Sequence, residues 1–126
     1  MDIDTKSRLA RENDTGIEAC AIRLRAAYIV TGLPRHIDFA NEIGISKTVL
    51  SNAMNAHTYP SREVMSYLYR AHRIDFNFMM IGLFSQLPGD VQRAIFPALE
   101  DATHEWDQKE NSNRYRGAPI GTPLKT

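Results

Sequence analysis

The chain has 126 residues, 43% of them apolar, and its 15 Lys and Arg balance 15 Asp and Glu for a formal net charge of zero. That length suits one small domain with tails, and no apolar run approaches the roughly 20 residues of a membrane span. Cys20 is the only cysteine, which excludes an intrachain disulfide and a cysteine-based zinc site.

Residues 1–15 mix acids and bases without periodicity and are expected to be an irregular tail. They contain no apolar stretch of signal-peptide type, so the expectation is a cytoplasmic protein with no membrane partner. Ile17, Ala21, Leu24 and Tyr28 recur at helical spacing and predict a helix over 17–31, ended by Gly32 and Pro34. Two short helices are expected at 35–43 and 47–55. Ala40 is small enough for them to cross, Gly44 reverses the chain, and Ser46 caps the second. Residues 56–60 read as a loop. Ser61 caps a helix over 62–72 whose inward face is Val64, Leu68 and Ala71. Asp75 caps another, with Phe76, Phe78, Met79 and Ile81 burying apolar surface and Gly82 as its stop. From Asp90 a stripe of Val91, Ala94, Ile95, Ala98, Leu99, Ala102 and Trp106 predicts a last helix, bent or split at Pro97. Residues 111–126 have Gly, Pro and no periodicity, and are expected to be disordered. No stretch alternates as a strand does, so the fold class is all-α.

Residues 36–55 carry the functional information. Phe39, Ile43, Ile45, Val49 and Leu50 can share a core, which leaves Lys47, Thr48, Ser51 and Asn52 polar on the second short helix. This is the pattern of a helix-turn-helix whose second helix enters the major groove. Val49 has two readings, core or contact with a thymine methyl. Lys47 suits guanine O6/N7, Asn52 suits adenine N6/N7, and Thr48 offers a methyl to thymine or a hydroxyl to phosphate. No acidic residue lies between Glu42 and Glu63, and residues 17–75 hold seven Lys and Arg against five Asp and Glu. The positive field is weak, so few phosphate contacts and a shallow salt dependence are expected.

The remaining chemistry is sparse. His72 and His104 have no partners at metal-ligand spacing. His104-Glu105-Trp106-Asp107 lacks the second histidine of a zinc-protease motif. There is no Gly-rich phosphate loop and no nucleophile with a base. The expectation is therefore no enzyme, no metal and no cofactor.

Over residues 23–82 the chain resembles the phage-repressor (Cro-like, xenobiotic-response-element) helix-turn-helix family. Three blocks carry the resemblance: Arg23-Leu24-Arg25-Ala26-Ala27, the stretch Phe39-Ala40-Asn41-Glu42-Ile43-Gly44-Ile45-Ser46-Lys47, and the run from Tyr59-Pro60-Ser61 to Ile81-Gly82. The resemblance implies a five-helix DNA-binding domain over 16–84 with an added C-terminal helix over 85–110. It implies a transcriptional regulator, more often a repressor, that binds operator or promoter DNA as a homodimer. Base contacts fall to Lys47, Thr48, Ser51 and Asn52. Phosphate contacts fall to His36 (where Gln is usual), Ser46, Asn55, His57 and Thr58. Ala56 and Arg73 stand where Gly is usual, so both are expected at φ > 0. Asn52 stands where Arg is common. The stripe of Val91, Ile95, Leu99 and Trp106 either folds back on the core or forms the dimer seam. The competing reading, favoured by the neutral charge, is a protein-interaction module of antitoxin or antiactivator type with a degenerate DNA face.

Overall fold

Capping chemistry sets the helix boundaries. The structure, a computed structural model, describes residues 1–116, and among these it contains helices and no strand. The helices are α1 (Ile3–Ala10), α2 (Ile17–Thr31), α3 (His36–Ile43), α4 (Lys47–Met54), α5 (Arg62–His72), α6 (Phe76–Ile81) and α7 (Gly89–Arg116). Ser46, Ser61 and Asp75 each accept, through the side chain, the backbone N–H of the residue three further on: Val49, Val64 and Phe78. Gly32, Gly44 and Gly82 stop α2, α3 and α6 in the left-handed region, with φ of 72°, 91° and 78°.

Ala56 and Arg73 adopt the same geometry, at φ 61° and 56°, although a Cβ disfavours it. Ala56→Gly is therefore expected to raise the unfolding free energy by about 0.5–1 kcal/mol, because relief of strain outweighs the added freedom of the unfolded chain. The midpoint of urea unfolding measures it.

The buried residues of α2 surround the helix: Ala19, Cys20, Ala21, Ile22, Arg23, Leu24, Ala26 and Ala27. The single stripe expected over 17–31 is thus an underestimate; α2 is the central helix, with α7 and α6 packed on it and α4 reaching it as well. Its alanines allow those close approaches. An aromatic chain holds α3 between α2 and α5. Tyr28 stands edge-on to His36 at 4.8 Å, Phe39 lies 5.3 Å from Tyr28, and Tyr67 lies 6.2 Å from Phe39.

Several expectations need correction. Residues 3–10 are helical, not irregular: Asp2 caps the first turn by accepting Thr5 N–H at 2.8 Å, and Ala10 is fully buried. Of its two readings, the apolar stripe of α7 takes the one in which it folds back on the core. Val91, Ile95, Leu99 and Trp106 are at most 5% exposed within the single chain, because α7 lies along α2 and α1. α7 is continuous through Pro97, which sits on its exposed side, where one missing backbone bond costs least. It also runs through 111–116, which were expected to be disordered; the rest of that expected tail, 117–126, lies outside the described residues. Ala71 is exposed, and Met65 and Tyr67 join Val64 and Leu68 on the buried face of α5. Phe76 is 57% exposed, while Phe78 and Met79 are buried.

Among the described residues no helix is long and apolar enough to cross a membrane, and no group of three or more His, Cys, Asp or Glu is arranged to hold a metal ion.

Candidate nucleic-acid interface

α3 and α4 are joined by a tight turn in which Gly44 N–H and Ile45 N–H both donate to Ala40 O, at 2.8 and 3.0 Å. This closes the C-terminus of α3 and aims the chain into the Ser46 cap of α4. Leu50, Ala53 and Met54 bury one side of α4. Their spacing of three and four fixes which side faces out. Lys47 and Thr48 are exposed on that outer side, and Ser51 and Asn52 are half-exposed. Val49 is 45% exposed, so it belongs to the outer side and not to the core.

Two arginines two residues apart, and so on opposite flanks of α2, cap the C-termini of two other helices. Arg25 Nε donates to Met54 O at 2.8 Å, and its Nη2 donates to Asn55 Oδ1 at 2.9 Å. The end of α4 is thereby tied to α2. The Arg25 guanidinium lies 5.4 Å from the centre of the Trp106 ring, with Glu105 at 3.9 Å. Lys109 sits over the same ring at 4.6 Å. Trp106 thus backs the Arg25 side chain that ties α4 to α2. This contact was missed in the sequence because it joins residues 81 apart with no spacing signal.

Arg23 is the other capping arginine and is fully buried. Its Nε donates to Ala10 O at 2.9 Å, and Nη2 donates to Arg11 O at 2.5 Å and to Asp14 O at 2.7 Å. Nη1 reaches Met79 O at 3.4 Å. Burial pushes the guanidinium pKa down, but an arginine keeps its proton in a protein. The carbonyls at the end of α1, which lack helical partners, supply the compensating partial negative charge.

The phosphate candidates divide. His36, His57 and Thr58 are exposed. Ser46 is exposed, and its Oγ accepts Val49 N–H, which leaves its hydroxyl proton free to donate. Asn55 needs correction. Its Nδ2 donates to Ser51 O at 2.9 Å and its Oδ1 accepts from Arg25, so the amide is committed inside the chain. The first turn of α3 has no side-chain cap. Asp38 beside it is paired with Arg35 through two bonds, of 2.9 and 3.1 Å, and that pairing holds the Asp38 carboxyl below its usual pKa. The Tyr59 hydroxyl donates to Thr15 O at 3.0 Å and ties the loop after α4 to the segment before α2.

Partial desolvation of the His36 ring where it packs on Tyr28, and then Arg25, holds its pKa below 6.5, and partial burial does the same for His72. The unfolded chain therefore takes up protons at a higher pH than the folded one. Stability is full above the unfolded value and declines as pH falls below 6.5 toward the lower folded values. Thermal unfolding followed from neutral into mildly acidic buffer is expected to show this decline, and His36→Gln with His72→Gln is expected to flatten it.

The outer side of α4 thus presents an ammonium, two hydroxyls and an amide, with no carboxylate in the sequence from 43 to 62. Compared with protein-family models, with curated proteins and with solved structures, the chain finds no match in any of the three.

Proposed function

We propose that the protein is a sequence-specific double-stranded DNA-binding regulator of transcription, acting as a homodimer and more often as a repressor by occlusion. In this reading α3 and α4 form the helix-turn-helix of a phage-repressor-like five-helix domain, α2 to α6. The observation that carries it is the outer side of α4: Lys47, Thr48, Ser51 and Asn52 stand clear of the core on a helix that Arg25, backed by Trp106, ties to α2. These side chains match the donor and acceptor pattern of major-groove base edges. His36, Ser46, His57 and Thr58 flank them as phosphate donors that set register without reading sequence. No step in this function needs catalysis, a metal or a cofactor.

A second reading, an interaction module of antitoxin or antiactivator type, draws on the zero net charge and on Arg35 being spent on Asp38. Selection of duplexes from a randomised pool, followed by a salt titration of the selected duplex, separates the two. The regulator reading expects an enriched motif and a log–log salt slope of about −0.9 per phosphate neutralised. An unenriched pool supports the interaction module.

A further inference from the structure

The apolar stripe of α7 is consumed inside the chain, so a surface for self-association lies elsewhere. Tyr69 and Phe76, 62% and 57% exposed, line one concavity of about 410 Å³ between α5 and α6. Met65 lines it as well, and Arg62 and Asp75 supply its charges. Arg62 forms no ion pair among the described residues. The Asp75 carboxylate receives the Phe78 N–H and the Gln86 amide, but no cation.

We propose that a second copy of this chain docks on this surface about a two-fold axis, with Phe76 of each copy entering the concavity of the other. An isologous interface must be complementary to itself. This patch meets that condition: it carries both a protruding ring and a hollow, and both an unpaired cation and an unpaired carboxylate. The two-fold operation brings Arg62 of one copy toward Asp75 of the other, twice. Zero net charge removes the long-range repulsion that two identical chains otherwise feel. The proposal rests on the homodimer in the reading above and supplies its surface.

The test is sedimentation equilibrium of the full chain without DNA, from micromolar to sub-millimolar concentration. The expected mass rises with concentration toward twice 14.3 kDa. Phe76→Glu and, separately, Tyr69→Glu replace exposed residues and are expected to leave the circular-dichroism spectrum unchanged. Phe76→Glu is expected to weaken association by about thirtyfold or more, the size of a central anchor. Arg62→Glu, and Asp75→Asn (which keeps the cap on α6), are expected to weaken it less. A chain that stays monomeric throughout, or a dimer indifferent to both aromatic substitutions, overturns the proposal. A duplex bound by single copies overturns this interface and leaves the DNA reading standing. A Phe76-dependent dimer without affinity for any duplex supports the interface and removes the DNA reading.

Discussion

Arg23→Met is expected to destabilise the protein by about 3–5 kcal/mol. Methionine fills much of the same volume but donates nothing. The carbonyls of Ala10, Arg11 and Asp14 then lose their charged donor, the first of them in a buried bond and the other two in partly buried ones. A hydrogen bond to a charged group contributes about 1.5–3 kcal/mol, and a buried acceptor left unmade costs about 1–3 kcal/mol. Such a loss is a large part of the roughly 5–15 kcal/mol that a domain has in total. The damage is expected to spread to α1, whose C-terminus Arg23 holds, so amide protection over residues 3–10 should fall furthest. Arg23→Lys is expected to recover only part of it, since one ammonium cannot span carbonyls that a guanidinium fork reaches together. Gly82→Ala probes the same knot independently. Its Cβ would stand 2.5 Å from Ala10 O and 2.7 Å from Arg23 Nη2, at a φ already in the left-handed region. Denaturant unfolding measures all three. An Arg23→Met protein within about 1 kcal/mol of the parent, the ordinary effect of a point substitution, contradicts this role.

The second large effect concerns recognition. Lys47→Ala and Asn52→Ala are each expected to abolish preference at one base pair of the selected duplex. The loss should be about 1–3 kcal/mol, or roughly five- to 150-fold in relative affinity. Neither change is expected to alter stability much. Lys47 is exposed, and the Asn52 side chain makes no hydrogen bond among the described residues. His57→Ala is expected to behave differently, weakening binding to all duplexes alike and flattening the salt slope, as a phosphate contact does. Competition binding against single-base variants of the duplex distinguishes the patterns. Equal affinity of the Lys47 and Asn52 variants and the parent for every duplex contradicts the assignment of the reading face.

The middle of the fold was legible because its signals are local. Ser46, Ser61 and Asp75 announce helix starts, and Gly44 and Gly82 announce stops, each through bonds spanning a few residues. The positive φ at Ala56 and Arg73 was legible only by comparison with a family that has glycine there. What escaped notice depends on residues far apart in the chain. Arg23 reads as a surface residue, since buried arginines are rare, and its partners are backbone carbonyls, which no residue type marks. Helix α1 has too few apolar residues for a periodic signal and is held from outside by that same arginine. The stripe on α7 was seen correctly as apolar, but periodicity does not say whether a chain or its copy covers a stripe. Phe76 fell on the wrong side and Val49 stayed between two readings because α4 and α6 are short, eight and six residues. In so few turns the phase of a helical pattern is poorly determined. At the candidate site, the polar face of α4 was apparent from spacing, whereas the commitment of Asn55 to Arg25 was not.

The DNA-binding proposal places nucleic acid on the outer side of α4. Titrating ¹⁵N-labelled protein with the selected duplex and following amide shifts residue by residue tests it most directly. The largest changes are expected on 46–52, with smaller ones at His36, His57 and Thr58. α7 is expected to stay still, and changes on the Tyr69–Phe76 surface are expected only as far as the duplex shifts the protein toward its dimer. Changes concentrated on α7 while α4 is unmoved, or no changes with any duplex, would contradict the proposal.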